Sequence, residues 1–176
     1  MSKIINIDVL DEQSLNRAIQ ELEEYRIKFE ENVEVYRMYV AEVARKYVDT
    51  LFSMAKVDDL VRTGTSRQAQ VSVTVEHGDT ISTVIAVGQD AVFVEFGAGV
   101  YHNGSAGSSP HPMGAKMGYT IGGYGEGRGK YPIWYFKDEI SGEVVSTHGT
   151  PAQMPMYNAM LLIRSELQSI ARRVFQ

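Results

Sequence analysis

"DEQSLNRAIQELEEYRIKFEENVEVYRMYVAEVARKYVDTLFSMAK" runs from Asp11 to Lys56, and its periodicity decides the fold class. Its apolar positions are Leu15, Ile19, Leu22, Tyr25, Phe29, Val33, Tyr36, Val40, Val43, Tyr47 and Leu51. The steps between them are three or four residues throughout, and no glycine or proline interrupts them, which is the pattern of an amphipathic helix. One unbroken helix over this stretch would be about 65–70 Å long at 1.5 Å per residue. A compact domain of 176 residues is only about 40 Å across, from a radius of gyration near 16 Å. The helix must therefore break or project beyond its own domain. Glu30-Glu31-Asn32 is the most polar point and the expected break. Residues before Phe29 are expected to fold back or to meet other subunits. Tyrosines in the stripe speak against a plain two-stranded coiled coil.

Downstream the period changes. "RTGTSRQ" (62–68) reads as a turn, and "QVSVTVE" (70–76) alternates strictly, with Val71, Val73 and Val75 on one face. His77-Gly78-Asp79 turns the chain, and "TISTVIAVG" (80–88) returns, giving an antiparallel hairpin. "AVFVEF" (91–96) is ambiguous between a strand and a helical turn. "YPIWYFKD" and "GEVVSTH" flank Glu139-Ile140-Ser141 as a second hairpin. Met156, Met160, Ile163, Leu167, Ile170 and Val174 form a last helical stripe, with Arg172 and Arg173 suited to a helix C-terminus. Thr150-Pro151-Ala152-Gln153 has the letters of a capping box. A start there would put Pro155 inside the helix, where its ring and missing N–H are costly. A start with Pro155 at the first helical position is preferred. The order of elements is that of an α+β fold: a long N-terminal helix, antiparallel hairpins forming a small sheet, a long glycine-rich loop, and a C-terminal helix packed on the sheet. The expected division is a helical extension, 1–35, and an α+β domain, 36–176, with a flexible loop at 97–130.

Composition narrows the function classes. The chain has no cysteine, so disulfides and thiolate metal sites are excluded. No apolar run approaches a membrane span, and the N-terminus lacks a signal-peptide pattern, so synthesis in the cytoplasm is expected. The net charge is −5, and the acidic excess lies wholly within residues 1–60. Tight non-specific DNA binding, which needs clustered Lys and Arg, is disfavoured.

The loop carries 11 of the 16 glycines, between Gly97 and Gly129. Its Gly-x-Gly repeats lack the third glycine of a dinucleotide fingerprint, and neither Lys116 nor Lys130 completes a P-loop. His77, His102, His111 and His148 show no metal-ligand spacing and read as ordinary polar side chains. No Gly-x-Ser-x-Gly elbow surrounds Ser105, Ser108 or Ser109. Glu95, inside the apolar run "FVEFG", would be costly to bury unpaired. It reads as an anchor for the loop, bonded to Arg128 or to a backbone N–H. The aromatic density of Tyr101, Tyr119, Tyr124, Tyr131, Trp134 and Tyr135 favours protein–protein contact.

"VFVEFGAG" (92–99), the variable glycine and histidine loop after it, and "WYFKDEISGEVVSTHGTPAQMPMYNAM" (134–160) together resemble the tail-component family of long-tailed bacteriophages. The "RTGTSRQ" turn fits the same pattern, and the resemblance covers roughly residues 40–176. It implies a virion structural protein without catalytic residues or cofactors. Such neck or tail-completion proteins form rings, commonly of six subunits, between the head connector and the tail terminator or tube. DNA is then only passing cargo, and no membrane is involved. The expected assembly interface comprises Glu95, Phe96, Gly97, Tyr101, Tyr119, Tyr124, Arg128, Tyr131 and Trp134. The alternatives are a cell-wall hydrolase using Glu95 and a loop histidine, or a small monomeric adaptor.

Overall fold

The structure is a computed structural model and describes residues 5, 8, 11–57, 66–97, 111–114, 116–117, 134–137, 141–147, 150 and 152–176. Its elements are α1 (Glu12–Met54), β1 (Lys56–Val57), β2 (Arg67–Gln68), β3 (Ser72–His77), β4 (Ser82–Val87), α2 (Ala91–Phe96), β5 (Trp134–Lys137), β6 (Val144–Thr147) and α3 (Pro155–Val174). The fold is α+β, as the change of period along the chain requires. No described helix is long and apolar enough to cross a membrane.

α1 is one helix of 43 residues, about 65 Å long. Asp11 caps it, its side chain accepting the Gln13 N–H at 3.1 Å. The break expected at Glu30-Glu31-Asn32 does not occur. That step contains no residue that removes a helical hydrogen bond, and Glu30 turns back toward Arg26 one turn earlier. Of the two outcomes, projection is the one realised. α3 runs antiparallel along α1. At one end Phe175 meets Phe29 and Tyr36, with ring centroids 5.6 and 6.0 Å apart. At the other end Met156 joins the cluster around Val48 and Phe52. Cover by α3 thus reaches Phe29, seven residues before the expected domain boundary at residue 36, and further out Ala18 is also buried. Beyond it Ile19, Leu22 and Tyr25 are exposed, Leu22 at 53%.

The core lies where the C-terminal half of α1 meets β3 and α3. Val48, Phe52, Ala55, Val73, Val94 and Ala159 form its buried centre. β3 and β4 pair antiparallel with Val73 opposite Ala86 and Val75 opposite Val84, so the alternating valines face α1. Arg37 of α1 holds the hairpin end, donating to the Gly78 carbonyl at 2.7 Å and the Ser82 hydroxyl at 3.1 Å. Glu34 orients that guanidinium, and the hydrogen bond from Arg37 holds the Glu34 carboxyl below its ordinary pKa. β1 pairs with β2, and β5 with β6, as separate two-stranded ladders.

β4 turns into α2 through Gly88, where a Cβ would lie 2.1 Å from the Gln70 carbonyl oxygen. No side chain fits that approach. Asp90, which is buried, takes both guanidinium nitrogens of Arg67 at 2.6 and 2.8 Å and the Gln70 N–H at 2.8 Å. This satisfies a carboxylate that would be costly to bury alone and fixes where α2 begins.

One contact between α1 and α3 has a pH signature. The Tyr47 hydroxyl donates to Glu166 at 2.6 Å, and this bond raises the Tyr47 pKa above its ordinary 10.0. A raised folded pKa gives stability that is complete below the unfolded value and is lost as pH rises through the folded one. The melting-temperature difference between wild type and Tyr47→Phe should therefore be constant from neutral pH to about 9 and vanish at strongly alkaline pH. Thermal melts of both proteins across that range check it.

Candidate functional site

The glycine-rich loop, the short helix α2 and the start of α3 meet at one carboxylate. α2 is six residues long and turns Val94, Glu95 and Phe96 inward. α3 begins without a cap of its own. Met154, the residue before it, is left-handed with φ 55° and makes no side-chain cap bond, and Pro155 has no N–H to offer. The next two donors belong to Met156 and Tyr157, and both go to Glu95. Oε2 accepts the Met156 N–H at 2.7 Å, and Oε1 accepts the Tyr157 N–H at 3.0 Å. Glu95 therefore caps α3 from another part of the chain, its negative charge at the helix end that favours anions.

His111 completes the arrangement. Its Nδ1 accepts the Met113 N–H at 3.0 Å, so the ring proton sits on Nε2, which donates to Glu95 Oε1 at 2.9 Å. The imidazole packs between Phe96, with centroids 4.5 Å apart, and Tyr157, at 5.3 Å. Glu95 is 6% exposed and His111 7%.

The backbone around them is equally tied. The Val94 carbonyl accepts the Gln153 N–H at 2.8 Å. The Gln153 side chain pairs with Lys56 as a strand would, accepting its N–H at 3.0 Å and donating to its carbonyl at 2.6 Å. Gly97 has φ +83°, and a Cβ there would come within 2.9 Å of the Ala152 nitrogen. Glu95-Phe96-Gly97 and Thr150, Ala152 and Gln153, distant in sequence, thus form one junction that locks α2, His111 and the end of α1 to α3.

This corrects three expectations. Glu95 and Phe96 were expected at an assembly interface, but both are buried and their partners lie within the chain. A side chain spent on capping a helix has no face to offer a neighbour. Gly97 likewise packs against its own chain. His111 is not an ordinary loop histidine but a buried member of the junction; within the expected flexible loop 97–130, residues 98–110, 115 and 118–130 lie outside the described residues. The expected anchoring of Glu95 to a backbone N–H is realised twice. Tyr101, Tyr119, Tyr124, Arg128, Tyr131 and His102 lie outside the described residues, as does the side chain of Trp134, whose backbone opens β5.

The pair Glu95 and His111 has the spacing of an acid–base couple. A general base must have a lone pair within reach of a substrate proton. Here both carboxylate oxygens and both ring nitrogens already hold partners, away from solvent. Among the described residues no three His, Cys, Asp or Glu side chains converge as metal ligands would. The chemistry of the junction is that of a fastening.

Two apolar surfaces among the described residues lie outside it. One is the exposed stripe on the outer half of α1. The other is an apolar groove of about 470 Å³ where α1, β4 and α3 meet, lined by Val48, Val84, Met156, Met160, Ile163 and Arg164 among others. The periodicity of α1 announced the stripe. Neither the groove nor the role of His111 was anticipated, although the sequence sets a proline on either side of His111, a pattern that signals a restricted backbone within a glycine-rich segment.

No family model, curated protein or solved structure matches the chain.

Proposed function

We propose that the chain is a structural protein of the phage virion, a ring-forming neck or tail-completion subunit that joins the head connector to the tail. The observation that carries this reading is the outer half of α1. It is a helix continuous with the core whose apolar stripe is exposed at Ile19, Leu22 and Tyr25, with Ala18 beside them buried, as in a subunit made to be covered by others. The junction adds support: the two stretches that carry the family resemblance, 92–99 and 134–160, meet in it, through Glu95 and Gly97 on one side and Ala152, Gln153, Met156 and Tyr157 on the other. The proposed partners are copies of the same chain, commonly six in such rings, with the connector protein on one side and the tail terminator or tube on the other. DNA passes as cargo, and the acidic N-terminal segment suits a surface that does not grip it. The hydrolase alternative requires Glu95 and a histidine to face a substrate, whereas Glu95 and His111 face α3. Negative-stain electron microscopy of the purified chain should show rings with a central opening. Single compact particles at every concentration would contradict the reading.

A further inference from the structure

The geometry points to a specific contact between copies: the outer α1 stripe of one subunit, from Leu15 to Tyr25, seats in the α1–β4–α3 groove of the next. This deepens the proposed self-assembly and rests on it only in requiring a second copy. The stripe is apolar and exposed, Ile19 and Leu22 included, and the groove is an apolar concavity wide enough for side chains of that size. Both belong to the same rigid helix, since Val48 lines the groove and α1 is unbroken from one to the other. Leu22 lies 26 residues before Val48, about 39 Å along the axis. The stripe therefore cannot reach its own groove, and a second copy can supply it.

Charge agrees with this choice of occupant. At 3.6 residues per turn, Glu12 and Glu23 fall along one edge of the stripe. The groove is rimmed by Arg164, and Arg172 and Arg173 are exposed further along α3. Arg164 makes no ion pair among the described residues. An acidic edge laid beside Arg164 sets the direction of docking and disfavours stripe against stripe. Because stripe and groove are different surfaces, the contact is heterologous, and repetition gives a ring when the rotation closes.

The test uses two full-length variants. Ile19→Glu with Leu22→Glu spoils the stripe and keeps the groove. Met160→Glu with Arg164→Glu spoils the groove and keeps the stripe. All four side chains are exposed, so circular dichroism should show wild-type folding for both. Wild type should sediment as an assembly and each variant alone as a single chain. An equimolar mixture should give a two-chain species, because one intact stripe and one intact groove remain and growth stops there. A mixture that stays monomeric overturns the inference, as does assembly of either variant alone. A wild-type dimer or open filament that obeys this complementation refutes the ring and leaves the contact standing. A ring that both variants still form refutes the contact and leaves the ring standing.

Discussion

Glu95→Ala should lower the melting temperature by roughly 10 °C, without changing any surface of the subunit. The substitution uncaps α3, which costs about 1 kcal/mol. It also leaves the Met156 and Tyr157 amides and the His111 Nε2–H without their acceptor, at about 1–3 kcal/mol for each donor that water cannot reach. With partial relaxation the loss is about 3 kcal/mol, and for a chain of this length each kcal/mol is worth about 2–4 °C. Glu95→Gln keeps one acceptor oxygen and should lose about half as much. His111→Ala should lose less than Glu95→Ala, because both α3 amides remain capped. Thermal melts followed by circular dichroism measure all three. A Glu95→Ala protein that melts with wild type would mean that the junction holds nothing together.

The same substitution at two points of α1 should give opposite results. Val48 is 3% exposed at the centre of the core, and Val48→Asp buries an unpaired carboxylate. That costs several kcal/mol against a total stability of about 5–15 kcal/mol, so the chain should fail to fold or melt near room temperature. Leu22→Asp changes the same helix 26 residues earlier, on the exposed stripe. It should melt within about 2 °C of wild type, as surface substitutions generally stay within about 0.5 kcal/mol, and should weaken assembly instead. If Leu22→Asp melts as badly as Val48→Asp, the outer half of α1 belongs to the subunit's own core.

The elements that could be read from the sequence were those specified by local periodicity. Leu15 to Leu51 announces a helix and Val71, Val73 and Val75 a strand, because the side-chain period of each is set by the backbone itself. The start of α3 at Pro155 followed from the one helical position that tolerates proline. The length of α1 against the size of a domain offered projection or a break. Projection won because polarity alone, at Glu30-Glu31-Asn32, costs a solvent-facing helix nothing. α2 was ambiguous because six residues are too few to display a period.

The junction was legible only in part. Glu95 within an apolar run signalled a buried carboxylate in need of donors. Its donors lie 16 and about 60 residues away, and nothing local names them. The same holds for Arg67 with Asp90, 23 residues apart. Placing Glu95 and Phe96 at an interface failed for a related reason. A patch that is apolar and aromatic reads alike whether another subunit or the chain's own helix covers it.

The most direct measurement is the molar mass in solution, by light scattering, of wild type and Leu22→Asp at matched concentrations. A subunit whose outer α1 stripe is covered by another copy should give wild-type masses several times 19.6 kDa. Leu22→Asp should shift toward the single-chain mass with an unchanged melting temperature. A wild-type mass of one chain throughout, or a Leu22→Asp mass identical to an assembled wild type, would contradict it.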